Sequence, residues 1–321
     1  MVRSAVVTTA VMAIAVAACS SGTAKPGSDP SPAPAASTAV PRPLPEVNRP
    51  CHGRVAEPFA GVATNGDLAR NVASFHRVTG ARVRVVEFYG RFPGNFQSAD
   101  AEQVVDAGEL PLIQLNPRYV SLAQVAAGAY DGDIRSYAQQ VKAFGCYIIL
   151  SFGHEMNGWW YPWGLPHTSP AVFKAAWRHI HDIFSAERVR NVIWSFDPTH
   201  QHARRKPGET AYPASKWYPG NKYVDWIGFD GYLGRGQNFG QVFGYQLRDI
   251  RRITRKPVYL AETGVGNGSH VVRQMASLFA GVQQWRLIGL VWFDLNRKNS
   301  WSLQGSPVKD AAFRRGVAQF G

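Results

Sequence analysis

Several things are missing from this 321-residue chain. No GxGxxG follows the first predicted strand, so a dinucleotide-binding Rossmann fold is disfavoured. There is no internal repeat, and only one stretch is low in complexity. The apolar run from Ala5 to Ala18 is shorter than the roughly 20 residues a membrane-spanning helix needs. Metal-binding spacing is also lacking. His179 and His181 stand two apart on a predicted helix and do not share a face. Asp131-Gly132-Asp133 lacks the further ligands of a calcium loop and suits a turn and helix cap instead. No metal and no cofactor is therefore expected. Acid is scarce, with 22 Asp and Glu against 35 Lys and Arg and a net charge of +13. The positive residues are scattered, apart from small groups at Arg204-Arg205-Lys206 and Arg251-Arg252, and no nucleic-acid motif accompanies them. Nucleic acid is thus excluded as a partner, and attraction to an anionic cell envelope fits better.

What is present begins with an export signal. Arg3 is followed by the apolar run, which ends in Val16-Ala17-Ala18-Cys19; this resembles a bacterial lipobox, in which the Cys is lipidated and becomes the new N-terminus. An ordinary signal peptide is the alternative. The expected organisation is a signal at 1–18, a Pro-, Ser- and Ala-rich tether with lipidated Cys19 at 19–50, and one folded domain at 51–321. Pro-rich tethers extend by about 3.1 Å per residue. The expected location is the outer face of the cell membrane, with the protein held there as a monomer. Of the three cysteines, Cys51 and Cys146 then remain as a possible disulfide in an oxidising compartment, or as two buried thiols.

The rest of the chain has ample core material: 45% is hydrophobic, including ten Trp, twelve Tyr and seventeen Phe. Eight short apolar runs predict strands at Phe59–Ala63, Val83–Phe88, Leu112–Leu115, Tyr147–Phe152, Val192–Phe196, Trp226–Phe229, Val258–Ala261 and Ile288–Phe293. Helix signals alternate with them, the clearest being Ser169-Pro170, a cap followed by proline at the first helical position. Repeated βα units of this number fit a closed (β/α)8 TIM barrel of the α/β class better than an open sheet.

Barrel active sites lie at the C-terminal ends of the strands. In this chain those ends carry Glu87, Asn116, His154-Glu155, Asp197, Asp230, Tyr232, Glu262 and Trp292 with Asp294. Glu155 and Glu262 close strands four and seven, so both emerge at one rim. Glycoside hydrolysis needs such a pair: one acid protonates the leaving oxygen, and the other attacks the anomeric carbon or activates water. Beside Glu155 stand Trp159, Trp160, Tyr161 and Trp163. Four large rings in five loop residues suit stacking on sugar C–H faces better than burial.

The chain resembles glycoside hydrolase family 26, a retaining (β/α)8 family that includes endo-β-mannanases, from about Phe59 to Phe320. The likeness rests on His154-Glu155-Met156-Asn157-Gly158 with Trp160-Tyr161-Pro162-Trp163-Gly164, on the Tyr218–Tyr232 stretch with Val224-Asp225-Trp226-Ile227-Gly228 and Asp230-Gly231-Tyr232, and on Lys256-Pro257-Val258 with Ala261-Glu262-Thr263-Gly264. It implies that Glu155 is the general acid/base, that Glu262 is the nucleophile, and that Tyr232 bonds and orients Glu262. It also implies that His154 adjoins the acid and contacts or orients substrate, and that Trp160 and Trp292 stack on the sugars beside the cleaved bond. Glu87, Tyr89, Asn116 and Arg118 are candidates for more distal sugars. The family implies a β-linked polysaccharide substrate, β-1,4-mannan first, with β-1,3-xylan and mixed-linkage β-glucan also represented. Two other readings stay open: a carbohydrate-binding lipoprotein with weak catalysis, and a hydrolase of the bacterium's own envelope polysaccharide.

Overall fold

A computed structural model of the chain describes residues 51, 53–200, 213–234, 236–295, 301–303 and 305–320. Cys19, the export signal, the tether and Arg204-Arg205-Lys206 lie outside the described residues. The chain divides into residues 1–47 and a compact unit from Asn48 to Gly321, and only the second contains described residues. Among them, no helix is long and apolar enough to cross a membrane.

Eight parallel strands close into a barrel in sequence order. They are β1 (Phe59–Ala63), β2 (Val83–Arg91), β3 (Leu110–Asn116), β4 (Ile148–Phe152), β5 (Val192–Phe196), β6 (Trp226–Leu233), β7 (Val258–Val265) and β8 (Gly289–Phe293). The helices are α1 (Leu68–Thr79), α2 (Ser98–Asp106), α3 (Leu122–Ala126), α4 (Asp131–Phe144), α5 (Pro170–Ala186), α6 (Phe239–Arg251), α7 (Val271–Gln284) and α8 (Pro307–Val317). Strands β2, β6 and β7 run three or four residues past the apolar runs that announced them. Their C-terminal ends carry polar site residues, so hydrophobicity stops there before the hydrogen-bonded ladder does.

Local chemistry fixes the helix starts. Ser169 Oγ accepts from the Val172 amide and Pro170 occupies the first turn of α5, so one orphan donor is satisfied and another is absent. Asp67 caps α1 in the same way, and Gly80 ends that helix in the left-handed conformation, where a Cβ would be penalised. Asn238 and Gln241 form a reciprocal capping box on α6.

Two layers of core follow from strand alternation. Outward-facing Val62, Val86, Ile113, Leu150, Leu260 and Leu290 pack with the helices, while Phe59, Val85, Leu112, Ile149, Ile193, Tyr259 and Val291 fill the lower barrel interior. Above that apolar plug the inward positions turn polar: Glu87, Gln114, Ser151, Ser195, Asp197 and Asp230 are all buried without solvent exposure. They are tied together around Asp197, which accepts from Gln114 Nε2 at 3.0 Å, the Gly228 amide at 3.1 Å and the Ser195 hydroxyl. Tyr259 joins the network through Ser195 at 2.8 Å.

Strand β7 contains one extra residue. Gly228 pairs with Tyr259 but Asp230 pairs with Glu262, and Leu260 pairs with Leu290 but Thr263 with Trp292. Such a bulge re-aims side chains, and bulges concentrate beside active sites. Its effect is that Ala261 packs in the barrel interior and the very next side chain, Glu262, also faces the barrel mouth.

Cys51 is bonded to Cys146, two residues ahead of β4. The bond ties the segment entering β1 to the start of the fourth strand, across a sequence separation of 95.

Candidate active site

Both glutamates open on a cavity of about 590 Å³ at the C-terminal ends of the strands, which Tyr89, Asn116, Arg118, Tyr161, Tyr232, Phe293 and Trp301 also line. Glu155 stands three residues past β4 with φ of 53°, a left-handed backbone that a residue with a Cβ adopts at a cost of about 1–3 kcal/mol. Its amide donates to the Asp197 carbonyl at 2.7 Å, and this bond holds the strained turn over the buried network. Trp160 Nε1 donates to Glu155 Oε2 at 2.6 Å. Burial among the cleft walls, and then the neighbouring charge of Glu262, push the Glu155 carboxyl up to about 8.

Glu262 is held differently. The Tyr89 hydroxyl donates to its Oε1 at 2.7 Å, and the Tyr232 hydroxyl donates to its Oε2. Burial and the adjacent Glu262 charge push both phenols up, so they remain protonated donors. Both oxygens of Glu262 therefore receive hydrogen bonds suited to a carboxylate. His154 Nε2 lies 3.9 Å from Glu262 Oε1 and 3.3 Å from the Tyr161 hydroxyl. Its imidazole is pushed down to about 3 by burial and by the Arg118 charge, so it is neutral at any working pH.

Two carboxyls with opposite surroundings at one barrel mouth suit acid-assisted displacement at an acetal. The model of "Glycosyl hydrolase family 26" matches residues 89–304. The chain belongs to glycosyl hydrolase family 26.

This family 26 chain is 29% identical over 263 residues to Endoglucanase H of Acetivibrio thermocellus, covering 77% of this chain and 29% of that one. It is 34% identical over 103 residues to a mannan endo-1,4-beta-mannosidase of Bifidobacterium adolescentis, covering 31% of this chain and 10% of the other. The chain thus spans less than a third of the length of these two relatives. A family 26 beta-mannanase structure from Bacteroides ovatus superposes with a TM-score of 0.61 at 18% identity, covering 81% of this chain and 88% of that one. At that identity the likeness speaks for the barrel alone.

Several expected substrate contacts fall elsewhere. Trp292 is fully buried, donates to the Trp301 carbonyl at 3.1 Å and packs edge-on against Phe313 of α8. It therefore faces the helices and cannot stack on a sugar. Alternation along β8 gives the inward place to Phe293, and Trp301, stacked on Tyr232 at 4.7 Å, walls the cleft beside it. Trp163 is also fully buried: it donates to the His154 carbonyl at 2.7 Å and stacks under Tyr161 at 4.3 Å. It supports the site from behind. Trp159 is 45% exposed and lies off the cavity lining. Of the expected platform, only Tyr161 borders the cavity, while Trp160 serves Glu155 directly.

The polar candidates divide as well. Asn116 lines the cleft. Glu87 is sealed beneath it, and burial, with Glu262 and Asp197 nearby, pushes its carboxyl up; it is a buried support for the floor, not a distal sugar contact. Asp230 is also buried, and its ligating oxygen lies within 4.8 Å of those of His154 and Glu262. Burial and then Glu262 push Asp230 up. A neutral imidazole with two carboxyl oxygens is a donor set that a metal ion can use, but here Glu262 is already bonded to two phenols. His154 adjoins the acid in sequence, yet its ring faces the nucleophile. Tyr89, expected at a distal sugar site, is carried to Glu262 by the continuation of β2 past Phe88.

Proposed function

We propose that this chain is a retaining endo-glycoside hydrolase that cleaves β-linked polysaccharide by double displacement, with β-1,4-mannan as its first substrate. The observation that carries the reading is the asymmetry of the pair: a carboxyl pushed up to about 8 at Glu155 facing a doubly hydrogen-bonded Glu262. In the first step Glu155 gives its proton to the glycosidic oxygen as the C–O bond breaks, and Glu262 forms a bond to the anomeric carbon. In the second step Glu155 takes a proton from water as that water displaces Glu262. The family assignment and the mannosidase relatives support mannan. The match to Endoglucanase H extends over more of the chain than those matches do, which favours β-glucan as a second substrate. The test is a product assay on mannan, mixed-linkage glucan and β-1,3-xylan, recording the anomer released first. Internal cleavage with retention is expected, and cleavage of none of the three would favour a binding protein.

For location, the reading is a lipoprotein anchored through Cys19 on the outer face of the membrane. The Ala17-Ala18-Cys19 sequence supports it, as does the Cys51–Cys146 bond, which persists in oxidising compartments. Cys19→Ser is expected to move the protein from the membrane fraction; unchanged fractionation would oppose the anchor.

A further inference from the structure

The flank of the cleft between β2 and β3 carries charge that the chemistry of neutral sugars does not use. A second cavity of about 270 Å³ is lined by Tyr89, Gly90, Arg91, Asn116, Arg118 and Tyr119. It shares Tyr89, Asn116 and Arg118 with the catalytic cleft, so the two spaces adjoin across these side chains, and Tyr89 is itself bonded to Glu262.

Both guanidiniums there are arranged and unspent. Arg91 lies over the Tyr119 ring at 5.7 Å and Arg118 over the Tyr161 ring at 5.9 Å. Ring contacts of this kind hold a guanidinium in place while leaving its N–H donors free. Among the described residues neither arginine has a carboxylate partner. Between them the Asn116 Oδ1 atom is buried without a hydrogen-bond partner, an unfilled acceptor in the wall that suits a hydroxyl of the same sugar, while the guanidiniums suit its carboxylate. Tyr119 is 71% exposed and offers a ring face at the outer end.

We infer that this flank is a subsite for a carboxylate-bearing sugar, so that the cleft takes, beside neutral chains, β-linked polysaccharide containing uronic acid units. The inference rests on the cleft being a glycan-cleaving site. A planar carboxylate matches the paired N–H groups of a guanidinium, a match no single hydroxyl offers. The need for two such groups follows from the neighbourhood. The Glu262 carboxylate repels a uronate approaching the mouth, and cations on the flank offset that repulsion and fix which sugar is acidic. Neutral oligosaccharides gain only hydrogen bonds from the same donors.

Titration calorimetry with two matched probes tests this. A β-1,4-linked mannuronate trisaccharide and β-1,4-mannotriose share one skeleton and differ at C6, carboxylate against CH2OH. The mannuronate is expected to bind about tenfold or more tightly, the scale of a charge-assisted contact. The preference should shrink at high salt, because both arginines are exposed. Arg91→Gln with Arg118→Gln should abolish the preference, and Arg→Lys at both positions should restore part of it; unfolding midpoints show whether each variant is folded. Equal or weaker binding of the mannuronate by the wild-type chain overturns the subsite, as does a preference that survives the Gln pair. Hydrolysis of neutral mannan and glucan is scored separately. Its absence with the acid preference intact would sink the neutral substrates proposed above and leave this site standing.

Discussion

The two corners of the cleft are built on opposite plans. At the Glu155 corner a left-handed residue beyond the end of β4 presents a carboxyl to walls of rings, with the Trp160 indole N–H among its donors. At the Glu262 corner an extra residue inside β7 presents a carboxyl to two phenol hydroxyls, with a neutral imidazole beside it. The first surroundings favour a proton on the carboxyl and the second favour its absence. Identical side chains are thus given different tasks by their neighbours alone, which is how one reaction draws acid and nucleophile from a single residue type.

The strongest way to break the comparison is to remove each member. Glu262→Ala should reduce polysaccharide turnover to background with an unchanged circular dichroism spectrum. Glu155→Ala should lose on the order of 10²- to 10⁴-fold on polysaccharide, the usual worth of general acid catalysis, while keeping much of its activity on aryl glycosides whose leaving group needs no proton. Equal losses on both substrate types would erase the distinction.

Next in size are the phenols. Tyr232→Phe and Tyr89→Phe each remove a hydrogen bond to a charged group, worth roughly 1.5–3 kcal/mol, so kcat should fall about 10- to 100-fold for each. A fall in Tyr232→Phe alone would show that Tyr89 is a wall and not a partner of the nucleophile.

A smaller effect sharpens the Glu155 side through pH. In the unfolded chain its carboxyl titrates near 4.5 and in the folded chain near 8. Stability associated with this group is therefore fully present below about pH 4.5 and is lost as pH rises towards 8. Glu155→Gln removes that slope, so the variant should gain on the order of 3–4 kcal/mol relative to wild type between pH 5 and 8, read from urea unfolding. In the active enzyme the alkaline limb of kcat/KM should fall through the same pH region. Trp160→Phe removes a bond that favours the charged form, and should move the limb to higher pH. A limb that stays put would separate Trp160 from the acid.

How much of this was readable beforehand follows from which physical signal each part leaves. Eight apolar runs spaced by capped helices announce the barrel, because the plug and the outer layer both need large apolar side chains. Glu155 and Glu262 stand out because acids at strand ends have no packing reason to be there. Trp292 misled for a related reason: an aromatic at a strand end fits either face, and only the register of β8 assigns it to the helices. Trp163 lies in a loop rich enough in rings to suggest a sugar platform, yet a count of rings says nothing of their stacking order, and the Tyr161–Trp163 pair hides one ring beneath the other. Trp301 carries no signal at all, since it lies outside every strand and helix.

The extra residue in β7 makes catalysis a matter of chain length as well as residue identity. Deleting Ala261 would keep every acid, phenol and imidazole named above and leave Glu262 opposite Asp230, yet it would remove the local kink and added twist that aim the Glu262 side chain at Tyr89 and Tyr232. Displacement of a reacting group by about 1 Å already costs on the order of 10²-fold, so the one-residue deletion should be as silent in a turnover assay as the loss of the nucleophile itself, while its unfolding still reports a closed barrel. A gap of one in this strand is thus a heavier change than many substitutions, and a relative lacking that residue would need another way to aim its nucleophile.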